Sequence, residues 1–250
     1  MIAALGMYDL PSLRPANDRY WSLIRSALGY GPVELTRVAE PWDIWLNPDL
    51  LFAQTCGMPF RTRLYGHVQL VGTPDYGLSG CPPGHYRSVF VARARDSRGL
   101  ADLSRGTFAY NEATSQSGWA GPLVHLERMG LCPLSGLETG SHAMSARAVA
   151  EGDADFAALD ALTWLMLKEH TKLGTELRDV DATEPTPALP YVTSGTQDAT
   201  AVAKAVRHAI NALPPRDRNA LHLLDLITIP AQDYLATPNP SPNMVKQLIP

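Results

Sequence analysis

No stretch of this chain is long and apolar enough to span a bilayer. The longest apolar helical candidate, Ala161 to Leu167, ends at Lys168, far short of the roughly 20 residues that a spanning helix needs. A secretory leader is also missing from the start. Met1-Ile2-Ala3-Ala4-Leu5-Gly6-Met7 has no basic region and runs directly into Tyr8-Asp9. The expectation is a protein that does not insert into membranes, periplasmic if a leader lies upstream or was removed and cytoplasmic otherwise.

Three further deficits exclude whole classes of function. Cysteine is scarce: Cys56, Cys81 and Cys132 are too few for a disulfide framework and lack metal-ligand spacing. Buried free thiols are the simplest reading, and Cys56 with Cys81 is the one pair to consider for a bridge, since each sits beside a glycine. Positive charge is not in excess, with 21 Lys and Arg against 25 Asp and Glu and a formal net charge of −4. Its cations are scattered, so nucleic acid is not an expected partner. Catalytic signatures are absent as well. There is no Gly-x-Ser-x-Gly elbow, phosphate-loop lysine, Gly-x-Gly-x-x-Gly or His-Glu-x-x-His, and the 7 histidines have no ligand spacing. No catalytic residue, metal or cofactor is therefore expected.

What is present is an ordinary folded chain of 250 residues, 45% hydrophobic and 18% charged, long enough for one large domain or two lobes. Ala3 to Met7 reads as a strand that opens into Tyr8-Asp9. Pro15 to Leu28 reads as a helix, Val33 to Ala39 as an alternating strand, and Asn47-Pro48-Asp49 as a helix start that Gly57 would stop. His67 to Gly72 and Tyr86 to Ala94 read as strands. Beyond a helical turn at Leu100 to Gly106 come a strand at Thr107 to Tyr110 and a helix from Trp119 to about Met129. Ser141-His142 begins a helix to about Glu151, Phe156 to Leu159 is a buried strand, and Ala161 to His170 is a helix. Tyr191 to Thr193 is a brief strand. Thr196 to Leu213 is an amphipathic helix with Val202, Val206, Ile210 and Leu213 on one face, and Asp217 to Leu226 is a shorter one. The tail from Pro238, with four prolines, reads as loose, and no internal repeat is visible.

Alternation of strand and helix implies parallel sheets with right-handed crossovers. The organisation that fits is α/β with two lobes, each a mostly parallel sheet flanked by helices: residues 1–78 plus 190–250, and residues 95–185, with hinge crossings at 79–94 and 186–194. Ligands in such sheets bind at the carboxyl ends of strands.

Polar groups at those ends are the candidate site. The richest stretch is Asn111-Glu112-Ala113-Thr114-Ser115-Gln116-Ser117-Gly118, a polar turn between a strand and a helix. Free N–H groups and the positive dipole end at a helix start suit an oxyanion, although from this stretch alone the plainer reading is that Ser115 or Ser117 merely caps the helix. Ser141 and His142 open another helix, where a histidine tends to stay neutral. Asp160 follows the next strand. It would accept a proton or an amine from a ligand and reject sulfate, or it would simply cap the helix after it. Tyr8 and Thr73 end strands one and three.

With these residues in view, the chain resembles the phosphate/phosphite/phosphonate substrate-binding proteins of ABC transporters, a branch of the type II periplasmic binding protein fold. The resemblance is carried in order by Tyr8, Leu51-Phe52-Ala53-Gln54-Thr55-Cys56-Gly57, Gly72-Thr73-Pro74 and Tyr86-Arg87-Ser88-Val89-Phe90-Val91. Leu100-Ala101-Asp102-Leu103, Phe108-Ala109-Tyr110-Asn111, Ser115-Gln116-Ser117-Gly118, Gly140-Ser141-His142, and Gly152-Asp153-Ala154-Asp155 leading to Asp160 complete it. It implies a closing cleft for a small anion, with Tyr8 from one lobe and the serine turn, His142 and Asp160 from the other. It also implies a monomer that works with an ABC permease. The same fold branch holds sulfonates and pyrimidine-like molecules, and includes pyrimidine-precursor enzymes, so a fold-related enzyme or cytoplasmic sensor is the alternative. A thiol nucleophile, Cys56 or Cys81 served by His67 or His85, would be its chemistry.

Overall fold

The computed structural model describes residues 1–249. Its strands, in chain order, are β1 (Ile2–Ala4), β2 (Leu50–Gln54), β3 (Val68–Asp75), β4 (His85–Tyr86), β5 (Ser88–Arg93) and β6 (Thr107–Tyr110). They continue as β7 (Ser135–Glu138), β8 (Phe156–Asp160), β9 (Leu177–Ala182), β10 (Thr186–Pro187), β11 (Tyr191–Ser194) and β12 (Asp225–Ile227). The chain divides into two compact units, one of Met1–His85 with Pro187–Leu235 and one of Tyr86–Thr186 with the segment from Ala236.

The first unit is built on a sheet of order β1-β2-β11-β3-β12. β1 pairs parallel to β2, while β11 runs antiparallel to both β2 and β3, and β12 antiparallel to β3. β1, β2 and β3 therefore share one direction, and their carboxyl ends meet at the edge where β11 begins. All five residues of β2 are buried, as a central strand covered on both faces must be. Phe52 stacks on Trp21 at 6.0 Å and lies 4.8 Å from Tyr191. The helix Ala199–Ala212 buries Val202, Val206 and Ile210, each worth about 1.5–3 kcal/mol in transfer from water.

The second unit has the order β7-β6-β8-β5-β9. β6 is parallel to both β7 and β8, whereas β5 runs antiparallel to β8 and β9, so β5 alone opposes the other four. Its core joins Phe90, Phe108 and Phe156, all fully buried, with Phe108 and Phe156 at 5.1 Å. The amino-terminal ends of the strands are pinned by an ionic cluster. Arg93 donates to the carbonyls of Val149 (3.0 Å) and Ala154 (2.6 Å), and Arg98 bridges Asp96 (2.6 Å) and Asp155 (2.8 Å). Asp155 also accepts from Thr107 N–H at the start of β6 at 2.9 Å. It lies so close to Gly106 that a Cβ there would stand 2.1 Å from its carboxylate oxygen.

Several expectations need correction. Most strands of each sheet share one direction, as expected, with β11 and β12 reversed in the first unit and β5 in the second; the corrections concern single elements. Val33 to Ala39 is not a strand; Thr36 N–H reaches the Ala3 carbonyl at 2.7 Å. Asn47-Pro48-Asp49 does not start a helix. Asn47 Oδ1 accepts from Asp49 N–H at 2.9 Å, a local turn that imitates a cap, and the chain enters β2 directly. The helix precedes it, at Pro41–Trp45, and Gly57 opens the short helix Gly57–Pro59 instead of ending one. A short run such as Leu50 to Ala53 carries no periodicity that separates a buried strand from a helix. Asp217 to Leu226 splits into the helix Pro215–Ala220 and β12. The tail is not loose: Pro242–Leu248 is a helix capped by Ser241, with Met244 and Leu248 buried. It groups with the second unit, where Ser241 N–H donates to Glu127 and Met244 Sδ lies 3.2 Å from Cys132 Sγ. Cys56, Cys81 and Cys132 are half-buried and in no disulfide, so the Cys56–Cys81 bridge is not formed.

The ionic cluster makes a pH-dependent contribution. The Arg98 hydrogen bond, against the opposing effect of burial, holds the Asp96 carboxyl at about 2. A depressed folded value stabilises the protein above the ordinary carboxylate pKa, and that stability is lost as pH falls toward 2. Arg98→Ala should cost about 1 kcal/mol near neutral pH, and the gap from wild type in urea unfolding should narrow as the medium is acidified from pH 5 to 3. A gap independent of pH would show that Asp96 is not held by Arg98.

Candidate functional site

The parallel trio β7-β6-β8 brings three strand ends side by side in the second unit, and a helix begins after each. Beyond β6 the turn from Asn111 leads into a wide helical turn, Gln116–Ala120, which continues as the helix Gly121–Arg128. Beyond β7 comes His142–Glu151, and directly after β8 comes Ala161–His170. Each start has a side-chain cap. Ser115 Oγ accepts from Gly118 N–H at 2.9 Å, Ser141 Oγ from Met144 N–H at 3.2 Å, and Asp160 Oδ1 from Thr163 N–H at 2.9 Å. Capping thus accounts for Ser115, Ser141 and Asp160. Three positive dipole ends meet at one sheet edge.

Ser117 is different. Its hydroxyl lies 3.0 Å from His142 Nε2, tying the first helix start to the second. Gly118 is required beside it. A Cβ there would stand 1.8 Å from Asn111 Oδ1 and 3.1 Å from His142 Cε1, so no side chain fits between the Asn111 amide and the imidazole. Asn111 is 9% exposed and its Oδ1 has no hydrogen-bond partner. Gln116, 3% exposed, turns its amide toward Gly121. The β7 turn is tied back to β6 by Thr139, whose N–H and hydroxyl both donate to the Tyr110 carbonyl, and by Gly140 N–H on the Asn111 carbonyl. Thr139 also meets Ser145 at 2.7 Å; its place one residue before Gly140-Ser141-His142 was the only sequence signal.

The electrostatics follow from burial. The residue His142 keeps some exposed surface, but its Nδ1 has none and makes no hydrogen bond of ordinary geometry. Burial pushes its pKa down to about 4, offset in part by the nearby Ala158 carbonyl. The ring is neutral at physiological pH. Glu112, beside the turn, is shifted upward by burial, with Glu138 adding to the shift.

In the first unit, Tyr8 lies in a helical turn after β1 and meets the Tyr76 ring edge-on at 5.4 Å. Thr73 does not follow β3 but lies within it, 1% exposed, its hydroxyl 2.5 Å from Tyr234 OH. Tyr234 OH in turn donates to the Ala188 carbonyl at 2.9 Å, so Thr73 anchors Tyr234. Asp9 is held by Arg37 and Asn17 at 2.7 and 2.9 Å. The same sheet edge carries groups that sequence reasoning missed. Gln54, the last residue of β2, donates to Tyr76 OH at 2.9 Å and to the Leu189 carbonyl at 3.1 Å, and Tyr191 opens β11. A polar residue closing a fully apolar strand was the signal for Gln54. Cys56 and Cys81 form no disulfide, and the His85 ring lies 3.0 Å from the Pro83 carbonyl. Among the described residues no three His, Cys, Asp or Glu stand close enough to share a metal ion, and no helix is long and apolar enough to cross a membrane.

The fold as a whole is similar to that of solved periplasmic binding proteins. PhnD1 from Prochlorococcus marinus, solved with methylphosphonate, superposes with a TM-score of 0.74 at 15% identity, over 99% of this chain and 96% of that one. A binding-protein component of an ABC phosphonate transporter from Pseudomonas aeruginosa gives 0.73 at 16% identity, over 94% and 83%. XAC2383 from Xanthomonas citri, bound to chloride ion, gives 0.68 at 16%, over 95% and 96%. The fold is therefore that of the type II binding proteins. The family model for the ABC transporter, phosphonate, periplasmic substrate-binding protein matches residues 49–233, and the chain belongs to that family. No curated protein sequence matches it.

The His142 shift has a measurable sign. A folded pKa of about 4, below the ordinary value of about 6.5, stabilises the protein fully above about pH 6.5, and that stability is lost as pH falls toward 4. His142→Gln should remove on the order of 2 kcal/mol of that acid-side loss. Urea midpoints of both proteins at pH 7 and pH 5 check it, and equal pH dependence in the two would show that His142 titrates normally.

Proposed function

We propose that this chain is the substrate-binding component of an ABC-type uptake system and that its second unit holds a small oxyanion of the phosphonate, phosphite or phosphate class. The observation that carries this reading is the meeting of three capped helix starts at the β7-β6-β8 edge, with Ser117 joined to His142 across two of them. Backbone N–H groups at such starts, with the dipoles behind them, attract an anion at about 0.3–1 kcal/mol per helix, more where partly buried. Ser115, Gln116, Ser117 and Gly118 form the head-group turn, flanked by Asn111, Ser141, His142 and Asp160. Tyr8 is the first unit's candidate ligand group. Thr73 supports Tyr234 and is an indirect participant. Family membership and two structural neighbours, one solved with methylphosphonate and one a component of an ABC phosphonate transporter, support the ligand class. The same membership supports work in the periplasm, delivering to an ABC permease; we read the working form as a monomer.

The arrangement favours binding over catalysis. Ser117 and His142 have the spacing of a nucleophile and its base, but a base with pKa about 4 is poorly matched to proton abstraction near neutrality, where efficiency needs a pKa close to the working pH. The chain is accordingly read as a binder without turnover.

Calorimetry with phosphate, phosphite, methylphosphonate, 2-aminoethylphosphonate and sulfate tests the proposal. At least one phosphorus oxyanion should bind, unchanged on recovery. Ser117→Ala should weaken that binding by about ten- to a hundredfold, one hydrogen bond to a charged group, while leaving the fold intact by circular dichroism. Heat from none of these anions, or unaltered affinity in the variant, would contradict the assignment.

A further inference from the structure

The first unit holds a cavity of about 210 Å3 that the oxyanion reading does not use. Its lining runs from Ala4 to Gln54, all within that unit, and Tyr8 is not among the described residues that form it. The floor lies deep. Ala4, Gln54, Trp45 and Ile44 are only 4% to 7% exposed, whereas Gly6, Ala39 and Pro41 are exposed and mark the mouth.

Hydrogen bonding inside the unit leaves that floor apolar. Trp45 has a single polar hydrogen and donates it to the Gln54 carbonyl at 3.0 Å, while the Gln54 amide donates to Tyr76 OH and to the Leu189 carbonyl. What remains for an occupant is carbon surface from Ala4, Ile44 and Trp45, with the Met7 thioether beside it. Polar groups come from Thr36 and Arg37 alone of the loop that walls one side. Arg37 is held by Asp9 and Asp18, each at 2.7 Å, and Arg14 also reaches Asp9 at 3.2 Å. Two cations and two carboxylates balance there, so no net charge draws an ion in. The walls are also fixed. Thr36 N–H donates to the Ala3 carbonyl at 2.7 Å, which ties the loop to β1, and Trp45 packs edge-on against Trp42 at 5.2 Å, itself covered by the Arg63 guanidinium at 4.3 Å. An occupant need not order them.

We propose that this cavity is a second binding site, for a compact uncharged molecule of one ring whose single hydroxyl or carbonyl turns toward Thr36 and Arg37. Size supports a ring, since an apolar cavity of about 150 Å3 already takes up benzene. Charge is disfavoured because an ion on this floor would lose its water and find no partner. The site is additional to the oxyanion turn and does not depend on it.

Nitrogen–proton correlation NMR on the full chain tests the site, with benzyl alcohol as the probe and benzoate and benzylammonium as charged controls of the same ring. Benzyl alcohol should shift the Trp45 indole N–H peak, identified by its loss in Trp45→Phe, with a Kd on the order of 1 mM. The two charged controls should bind at least about tenfold more weakly. Gly6→Leu blocks the cavity: a Cβ at Gly6 would meet no atom within 4 Å and its φ is not positive, so the variant should match wild type by circular dichroism and lose the shift. Ala39→Leu, at the exposed rim, repeats the test without touching the turn after β1 and should weaken binding too. No saturable shift at about ten times the expected Kd would overturn the inference, as would unchanged binding in the folded variants. Equal affinity for either charged control would overturn the uncharged ligand class.

Discussion

The parallel pairing of β6 with both β7 and β8 is the constraint on which the proposed site depends. Register fixes it: Phe108 pairs with Gly136 on one side and Phe156 on the other. A parallel neighbour must return through a crossover, here helical, so each of these strands delivers a helix start to the same edge. Reversal of β6 would send the serine turn to the opposite edge of the sheet, away from His142. At the other end of these strands, the cluster of Arg93, Asp96, Arg98 and Asp155 holds Thr107 and the β8 entry in place, which sets where the carboxyl ends fall.

Polarity at that edge is divided between two jobs. Ser115, Ser141 and Asp160 close the helix starts with their own oxygens, as isolated helices need in order to satisfy their first N–H groups. Ser117 and Asn111 are not used in that way. Packing rather than capping holds them. Gly118 lets the Asn111 amide and the His142 ring approach its backbone, and burial keeps the ring neutral.

Much of the second unit was legible in the sequence. Thr107–Tyr110, His142–Glu151 and Ala161–His170 stand where apolar periodicity and cap residues put them, because each is bounded by Gly, Ser or Asp with an unambiguous local meaning. The serine turn was legible as a helix start, and family resemblance made it a candidate site. Other features depend on partners distant in sequence. β7, Ser135–Glu138, is an edge strand with no residue fully buried, so its apolar pattern is faint. The reversal of β5 and β11 is a matter of pairing, which period-two alternation does not encode. Thr73 looked like a strand end because Gly72 and Pro74 flank it, yet its hydroxyl is taken by Tyr234, 161 residues away. Asn47-Pro48-Asp49 misled for the opposite reason: the local chemistry of a cap also makes a turn into a strand.

The most direct measurement is a crystal structure of the protein grown with methylphosphonate. The account predicts phosphonate density in the second unit at the Asn111–Gly118 turn, with one oxygen in hydrogen-bond contact with Ser117 Oγ and the others on backbone N–H groups at the starts of the Gln116 and His142 helices. Density for the ligand elsewhere, with the serine turn empty or holding only water, would contradict it.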